Sequence, residues 1–306
     1  MKKEEFYFDS NDGLTKIRAL KFIPDGEVKA ILQISHGMVE FIDRYEGFAN
    51  YLCEKGFLVV GNDHLGHGGS VNSKEDWGYF AKKDGYRIVL DDILKLLNIV
   101  KKDYPNKKYY LLGHSMGSFL ARLFLIEYGN ELDGAIIMGT GQQSKGTLVA
   151  GKALTKLISL FKGEKYRSSF INNMALGSYN KKFEPSTTHC DWLTKDEKIV
   201  NWYYNEPRCQ FVFTLNGYYN LFSLIEQIID EKNLEKMPKD LPVLIVSGED
   251  DTVGNFGKDP KAVYEAFKSI GMKNIDLKLY PNDRHEILNE TDKALVYEDI
   301  YNWLKK

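Results

Sequence analysis

The chain of 306 residues has only three cysteines, Cys53, Cys190 and Cys209. An odd, sparse set makes no disulfide framework, and no pair has the C-x2-C spacing of a zinc site, so all three read as buried, reduced thiols. Neither sign of charge is in excess: 41 Lys and Arg against 43 Asp and Glu leave a formal net charge of −2. That argues against a sequence-independent grip on nucleic acid. Apolar runs such as Val243–Val246 fall far short of the ~18 residues that a membrane span needs. Met1-Lys2-Lys3-Glu4-Glu5 is followed by no apolar stretch, so it does not read as a secretory signal. A cytoplasmic protein is the expectation. Aromatic residues, in contrast, are plentiful: 13%, with 19 Tyr, 17 Phe and 4 Trp. A chain this long buries a full core without so many rings, so their location bears on function.

Ala30–Ile34, Phe57–Val60, Tyr109–Leu112, Ala135–Met138 and Pro242–Val246 are short, nearly continuous apolar runs. They read as strands buried on both faces of a parallel sheet. Ile275–Tyr280 and the alternating Lys16–Ile23 join them. Apolar residues at helical spacing mark Tyr45–Lys55, 84–100, Phe119–Tyr128, Lys261–Ile270 and Asp292–Leu304. Strand–helix alternation on both sides of a gap predicts one α/β core, residues 1–140 and 236–306. Its sheet is mostly parallel, doubly wound and flanked by helices. The gap, residues 141–235, reads as a mainly helical insertion rich in aromatic rings. Within it, Ala150, Leu154, Leu157, Ile158 and Phe161 form a stripe that favours core packing over a lipid-facing surface. Most rings of the insertion read as its own small core, and some as the lining of an apolar substrate pocket.

Gly113-His114-Ser115-Met116-Gly117 fits G-x-S-x-G and lies between an expected strand and an expected helix. In such an elbow the serine occupies a sharp, strained turn, and side chains two positions away on either side would collide. The helix that follows aims its N-terminus at the negative charge that acyl transfer generates. A serine hydroxyl needs a base, and in this arrangement the chain order is Ser, acid, His. Two histidines follow Ser115. His189 lies in the insertion; His285 lies just beyond a strand, where a parallel sheet presents residues at its carboxyl edge, and is preferred. The acid should follow the strand Val243–Val246, where Glu249, Asp250 and Asp251 are equally placed by spacing. An oxyanion hole needs two convergent backbone N–H groups, expected from Met116 and from Met38 in His36-Gly37-Met38. Asp63-His64-Leu65-Gly66-His67 carries two imidazoles and a carboxylate, but no third spaced ligand follows, and loop geometry is the better reading than a metal site.

These segments together resemble the monoacylglycerol lipase and lysophospholipase group of α/β-hydrolases, also described as serine-aminopeptidase-like hydrolases. The resemblance rests on His36-Gly37-Met38-Val39-Glu40 with Arg44-Tyr45, on Asp63–Gly68, on Gly113–Gly117, on Ser247–Val253 and on Arg284-His285-Glu286. Phe41 departs from it, since many relatives carry histidine after the glutamate. The group's G-x-x-D-x-V pattern falls on Gly248, Asp251 and Val253, which implies Asp251 as the acid. The resemblance also implies an α/β-hydrolase fold, a helical cap over 141–235 that forms an acyl channel, and no cofactor or metal. The implied reaction is hydrolysis of a lipid monoester through an acyl-enzyme on Ser115, with His285 as base. Transient contact of the cap with a membrane surface fits this reading, as does a monomer or a homo-oligomer. Activity should fall at acid pH as His285 protonates. The rival readings are a short-chain carboxylesterase or serine aminopeptidase on the same scaffold, and a non-catalytic ligand-binding protein.

Overall fold

A computed structural model describes all 306 residues. In chain order the elements are β1 (Lys2–Asp9), β2 (Lys16–Ile23), β3 (Ala30–Ser35), α1 (Glu46–Glu54), β4 (Phe57–Asn62), α2 (Gly85–Asp103), β5 (Lys108–His114), α3 (Met116–Tyr128) and β6 (Gly134–Met138). Five helices follow: α4 (Lys145–Lys162), α5 (Ser169–Leu176), α6 (Glu197–Asn205), α7 (Leu215–Ile228) and α8 (Glu231–Leu234). The chain closes with β7 (Val243–Gly248), α9 (Lys258–Ser269), β8 (Ile275–Tyr280) and α10 (Lys293–Leu304). The eight strands form one sheet in the order β1-β2-β4-β3-β5-β6-β7-β8. β1 and β2 run antiparallel to their neighbours and the remaining pairs are parallel.

The continuous apolar runs have their reason in this sheet. Along β3 to β7, alternate residues enter different cores: Ile31, Val60, Leu111, Ile137 and Ile245 pack with α2, α3 and α9, whereas Leu32, Val59, Leu112, Ile136 and Val246 pack with α1 and α10. Each such side chain, removed from water on its own face, stabilises the fold by about 1.5–3 kcal/mol. The parallel register also aligns the carboxyl ends. Ser35 pairs with Gly113, His114 with Met138 and Gly248 with Tyr280, so the loops after β3, β5, β6, β7 and β8 emerge along one edge.

Two findings differ from the sequence-based expectations. β1 carries no continuous apolar run. Only Phe8 among its residues is buried, because this edge strand has one neighbour and faces water. In α4, the buried face is Leu148, Gly151 and Thr155, set against α7, where a Cβ at Gly151 would stand 3.0 Å from the Phe222 ring. The expected stripe packs only in part: Leu154 and Ile158 are half-buried against the core, whereas Ala150, Leu157 and Phe161 are exposed, as is the neighbouring Leu160. The close helix pair selects small residues, and the bulky ones are turned outward.

Candidate active site

Ser115 stands between β5 and α3 with φ 54° and ψ −121°. A non-glycine residue at positive φ is strained and persists only where its surroundings hold it. Its N–H donates to the Met138 carbonyl (3.0 Å), and its carbonyl accepts from Ser118. The flanking glycines are required by contact. A Cβ on Gly113 would lie 2.1 Å from the Gly117 carbonyl oxygen, and one on Gly117 would lie 1.9 Å from that of Ser35. The elbow thus packs backbone on backbone against the end of β3.

His285 follows β8, is almost fully buried, and pairs through Nδ1 with Asp251 Oδ1 at 3.0 Å. Asp251 is fully buried at the end of β7, and also accepts from the Ser247 hydroxyl (3.1 Å) and the Val253 N–H (2.8 Å). Burial raises its pKa, but the His285 partner and these donors outweigh that and hold it below the usual carboxylate range. The neighbouring acids do not compete: Glu249 is exposed, and Asp250 pairs with Lys182 at the surface. His189 is exposed and meets the Tyr204 ring edge-on.

Ser115 and His285 line one cavity of about 190 Å³, together with Met38, Met116 and apolar side chains from the insertion, among them Leu148, Met174, Leu221 and Phe222. No hydrogen bond joins the Ser115 hydroxyl to the His285 ring; the two share the cavity wall. Met38 lines this cavity, and its N–H has no intramolecular acceptor. Met116 is the first residue of α3, where a helix has no acceptor of its own to offer. Gly37 brings the two loops together: a Cβ there would stand 3.0 Å from Ser115 Cβ.

Sequence reasoning did not identify a buried ionic cluster behind these groups. Glu40 accepts from the Gly37 N–H (2.5 Å), the Tyr45 hydroxyl (2.9 Å), His114 Nδ1 (3.1 Å) and Arg44 (2.7 Å). Arg44 also forks onto both oxygens of Glu286 at 2.6 Å. Burial alone would push both carboxyls up; Arg44 holds both below their ordinary values. Burial opposes charge on His114 too, yet the hydrogen bond to Glu40 and its negative charge outweigh burial and draw the His114 pKa upward. His114 Nε2 reaches the His285 carbonyl at 3.3 Å, so the cluster ties the loops after β3, β5 and β8 to one another. The signal was in the sequence: three charged residues in the segments that carry the motifs, which composition does not distinguish from solvated ones.

The insertion contributes directly to this edge. The Trp192 ring lies 5.1 Å from that of His285. The Leu193 carbonyl accepts from the Glu286 N–H at 2.7 Å. One acidic group could be taken for a cation site: ligand atoms of Asp283, Glu290 and Asp292 lie within 4.8 Å of one another. Lys195 supplies the positive charge there, 2.7 Å from Asp283 and 3.8–3.9 Å from the other two. The carboxylate of Asp63 accepts from Ile42 N–H, Gly69 N–H and Arg18, which fits the loop-building reading of that segment.

Comparison with known proteins gives concordant results. The profile of the family described as serine aminopeptidase, S33, matches residues 26–292. The chain is 25% identical to the monoglyceride lipase of Rattus norvegicus over 288 residues, 92% of this chain and 84% of that one. It is 22% identical to the monoacylglycerol lipase of Mycolicibacterium smegmatis over 282 residues, 92% and 90% of the two chains. Among solved structures, a thermostable carboxyl esterase from Bacillus coagulans superposes with a TM-score of 0.92 at 29% identity, covering 100% of this chain and 98% of that one. A soluble variant of the monoglyceride lipase of Saccharomyces cerevisiae superposes with a TM-score of 0.75 at 20% identity, covering 100% and 96%, which speaks to the fold.

Proposed function

Because the chain belongs to the serine aminopeptidase (S33) family and has the α/β-hydrolase fold, we propose that it is a serine hydrolase that cleaves carboxylic esters of the lipid-monoester class, monoacylglycerols or lysophospholipids. One observation carries the reading: a serine held at positive φ shares an apolar cavity wall with a histidine whose other ring nitrogen is paired to a buried carboxylate. Ser115 Oγ attacks the acyl carbonyl, and His285 Nε2 takes its proton. The Met38 and Met116 N–H groups receive the oxyanion. The tetrahedral adduct collapses as His285 protonates the leaving alcohol oxygen, which gives the acyl-serine. Water, deprotonated by His285, then releases the acid and restores the serine. Asp251 keeps Nδ1 protonated and stabilises the imidazolium. The reaction as written draws on no metal or cofactor.

In this reading residues 141–235 act as a cap over the core formed by 1–140 and 236–306, and the apolar lining supplied by Leu148, Met174, Leu221 and Phe222 receives the acyl chain. The exposed Leu157, Leu160 and Phe161, beside Lys156 and Lys162, suit brief contact with an anionic lipid surface. No helix is long and apolar enough to cross a membrane. Three free, buried cysteines suit a reducing cytoplasm.

A second reading, a carboxylesterase of shorter acyl groups, is favoured by the likeness to the Bacillus coagulans carboxyl esterase. Hydrolysis of a chain-length series of p-nitrophenyl esters beside a monoacylglycerol and an aminoacyl anilide separates the readings. A fluorophosphonate probe should label the parent and not Ser115→Ala, whose turnover should fall by roughly 10⁴-fold or more. Labelling that persists in Ser115→Ala rules out this assignment.

A further inference from the structure

The loop that carries Met38 is strained one residue further on. Val39 holds φ 57°, a conformation that β-branched side chains avoid strongly. Relaxation of Val39 to negative φ would turn the peptide planes on either side of it and shift the backbone of the loop that carries Met38, which lines the cavity with Ser115. Two hydrogen bonds bracket that N–H along the chain. On one side, the Gly37 N–H donates to Glu40 Oε1 at 2.5 Å, a bond made within the core. On the other, the Tyr203 hydroxyl donates to the Val39 carbonyl oxygen at 2.9 Å. Tyr203 belongs to α6, in the insertion, and is itself well fixed. Its ring is buried and lies 4.8 Å from the Arg44 guanidinium, and α6 is capped by Asp196, which accepts from the Lys198 and Ile199 N–H groups.

We propose that Tyr203 is a positioning residue for the oxyanion loop: its hydroxyl holds the Val39 carbonyl so that the Met38 N–H stays aimed at the carbonyl that Ser115 attacks. The inference rests on the serine-hydrolase reading above and goes beyond it in one respect. The insertion then serves the chemical step as well as the acyl chain, because one of the two constraints on the oxyanion donor comes from α6. Backbone strain at a functional site persists only where surrounding contacts over-determine it, and the Tyr203 hydroxyl is such a contact.

Tyr203→Phe removes the hydroxyl and keeps the ring over Arg44, so the fold should be retained, with a melting temperature close to that of the parent. Direct loss of an oxyanion donor costs about 10²–10³-fold, and a donor that is present but misaimed should cost less, roughly tenfold in kcat. The loss should be equal for p-nitrophenyl acetate and p-nitrophenyl octanoate, with KM within about twofold of the parent's. Affinity for phenylboronic acid should fall by the same factor, because its tetrahedral serine adduct places an oxygen where the oxyanion sits. Three outcomes overturn the proposal: kcat and boronate affinity both within twofold of the parent; a loss of kcat with boronate affinity unchanged; or a rise in KM confined to the longer ester, which would make Tyr203 only a cavity wall. Ser115→Ala, run alongside, separates this failure from that of the underlying reading. If Ser115→Ala still turns over, the serine-hydrolase assignment itself falls and takes the proposal with it.

Discussion

Asp250 and Asp251 are adjacent, yet one faces Lys182 at the surface and the other is sealed beneath His285. In the parent, the Asp251 carboxylate accepts from the Ser247 hydroxyl, the Val253 N–H and His285. Asp251→Asn keeps the volume but offers an amide, which favours the wrong imidazole tautomer. Turnover should fall by about 10⁴-fold with a smaller change in KM. Because the Asp251 pKa is depressed, its contribution to stability is full above the unfolded value of about 3.9 and is lost as pH falls through the lower folded value. The amide of the variant has no charge to titrate, so its turnover should stay low across pH 5–9, and recovery at any pH in that range would count against the assigned role. Spacing left three carboxylates equivalent; the family pattern pointed to one, and burial with a histidine partner marks the same one.

Among the elements, α4 is where period and packing part company. Its apolar residues recur at helical spacing, but α7 lies so close that Gly151 and Thr155 take the inner face. Leu160 and Phe161 are left outside, 74% and 81% exposed, and in the proposed reading they face the lipid surface. The double variant Leu160→Asp, Phe161→Asp should lose at least about tenfold in partition to vesicles of anionic phospholipid, measured by co-sedimentation, since burying each such side chain is worth about 1.5–3 kcal/mol. Its hydrolysis of soluble p-nitrophenyl butyrate should match the parent's. Equal vesicle binding by both proteins would remove α4 from the membrane-facing reading. The strands were easier to read than this helix. A strand buried on both faces is apolar throughout, whereas which face of a helix is covered depends on its neighbour.

Across the whole molecule, the acid response of the fold has a visible source. His36, His64 and His67 are buried, with their pKa values lowered chiefly by burial, and His67 is pushed down to about 3. Below pH 6.5 the unfolded chain takes up protons that the folded chain refuses, so stability is full above that pH and falls as the medium is acidified. His67 alone should account for about 2 kcal/mol between pH 7.5 and pH 5. Asp92 and Asp283, raised by burial to about 6, work in the opposite sense and offset part of the loss. Urea unfolding at the two pH values should show a steeper acid loss for the parent than for His67→Gln, and identical losses would refute the assignment.

The order of the core strands and helices from β2 onward, the elbow around Ser115 and the position of His285 beyond a strand follow from the sequence alone. Each depends on local chemistry: period, glycine, and the short distance from a strand end to its loop. Which residues of α4 face inward, why Glu40, Arg44 and Glu286 carry buried charge, and that Tyr203 reaches the loop of Met38 were decided by tertiary structure. Those contacts join residues as far as 242 positions apart, and burial, which sets the meaning of a charge, is a property of what surrounds a side chain. The aromatic surplus divides in the same way. The sequence counts the rings and collects many of them in 141–235; only the packed molecule turns Trp192 toward His285, Tyr203 toward the loop of Met38 and Phe161 toward water.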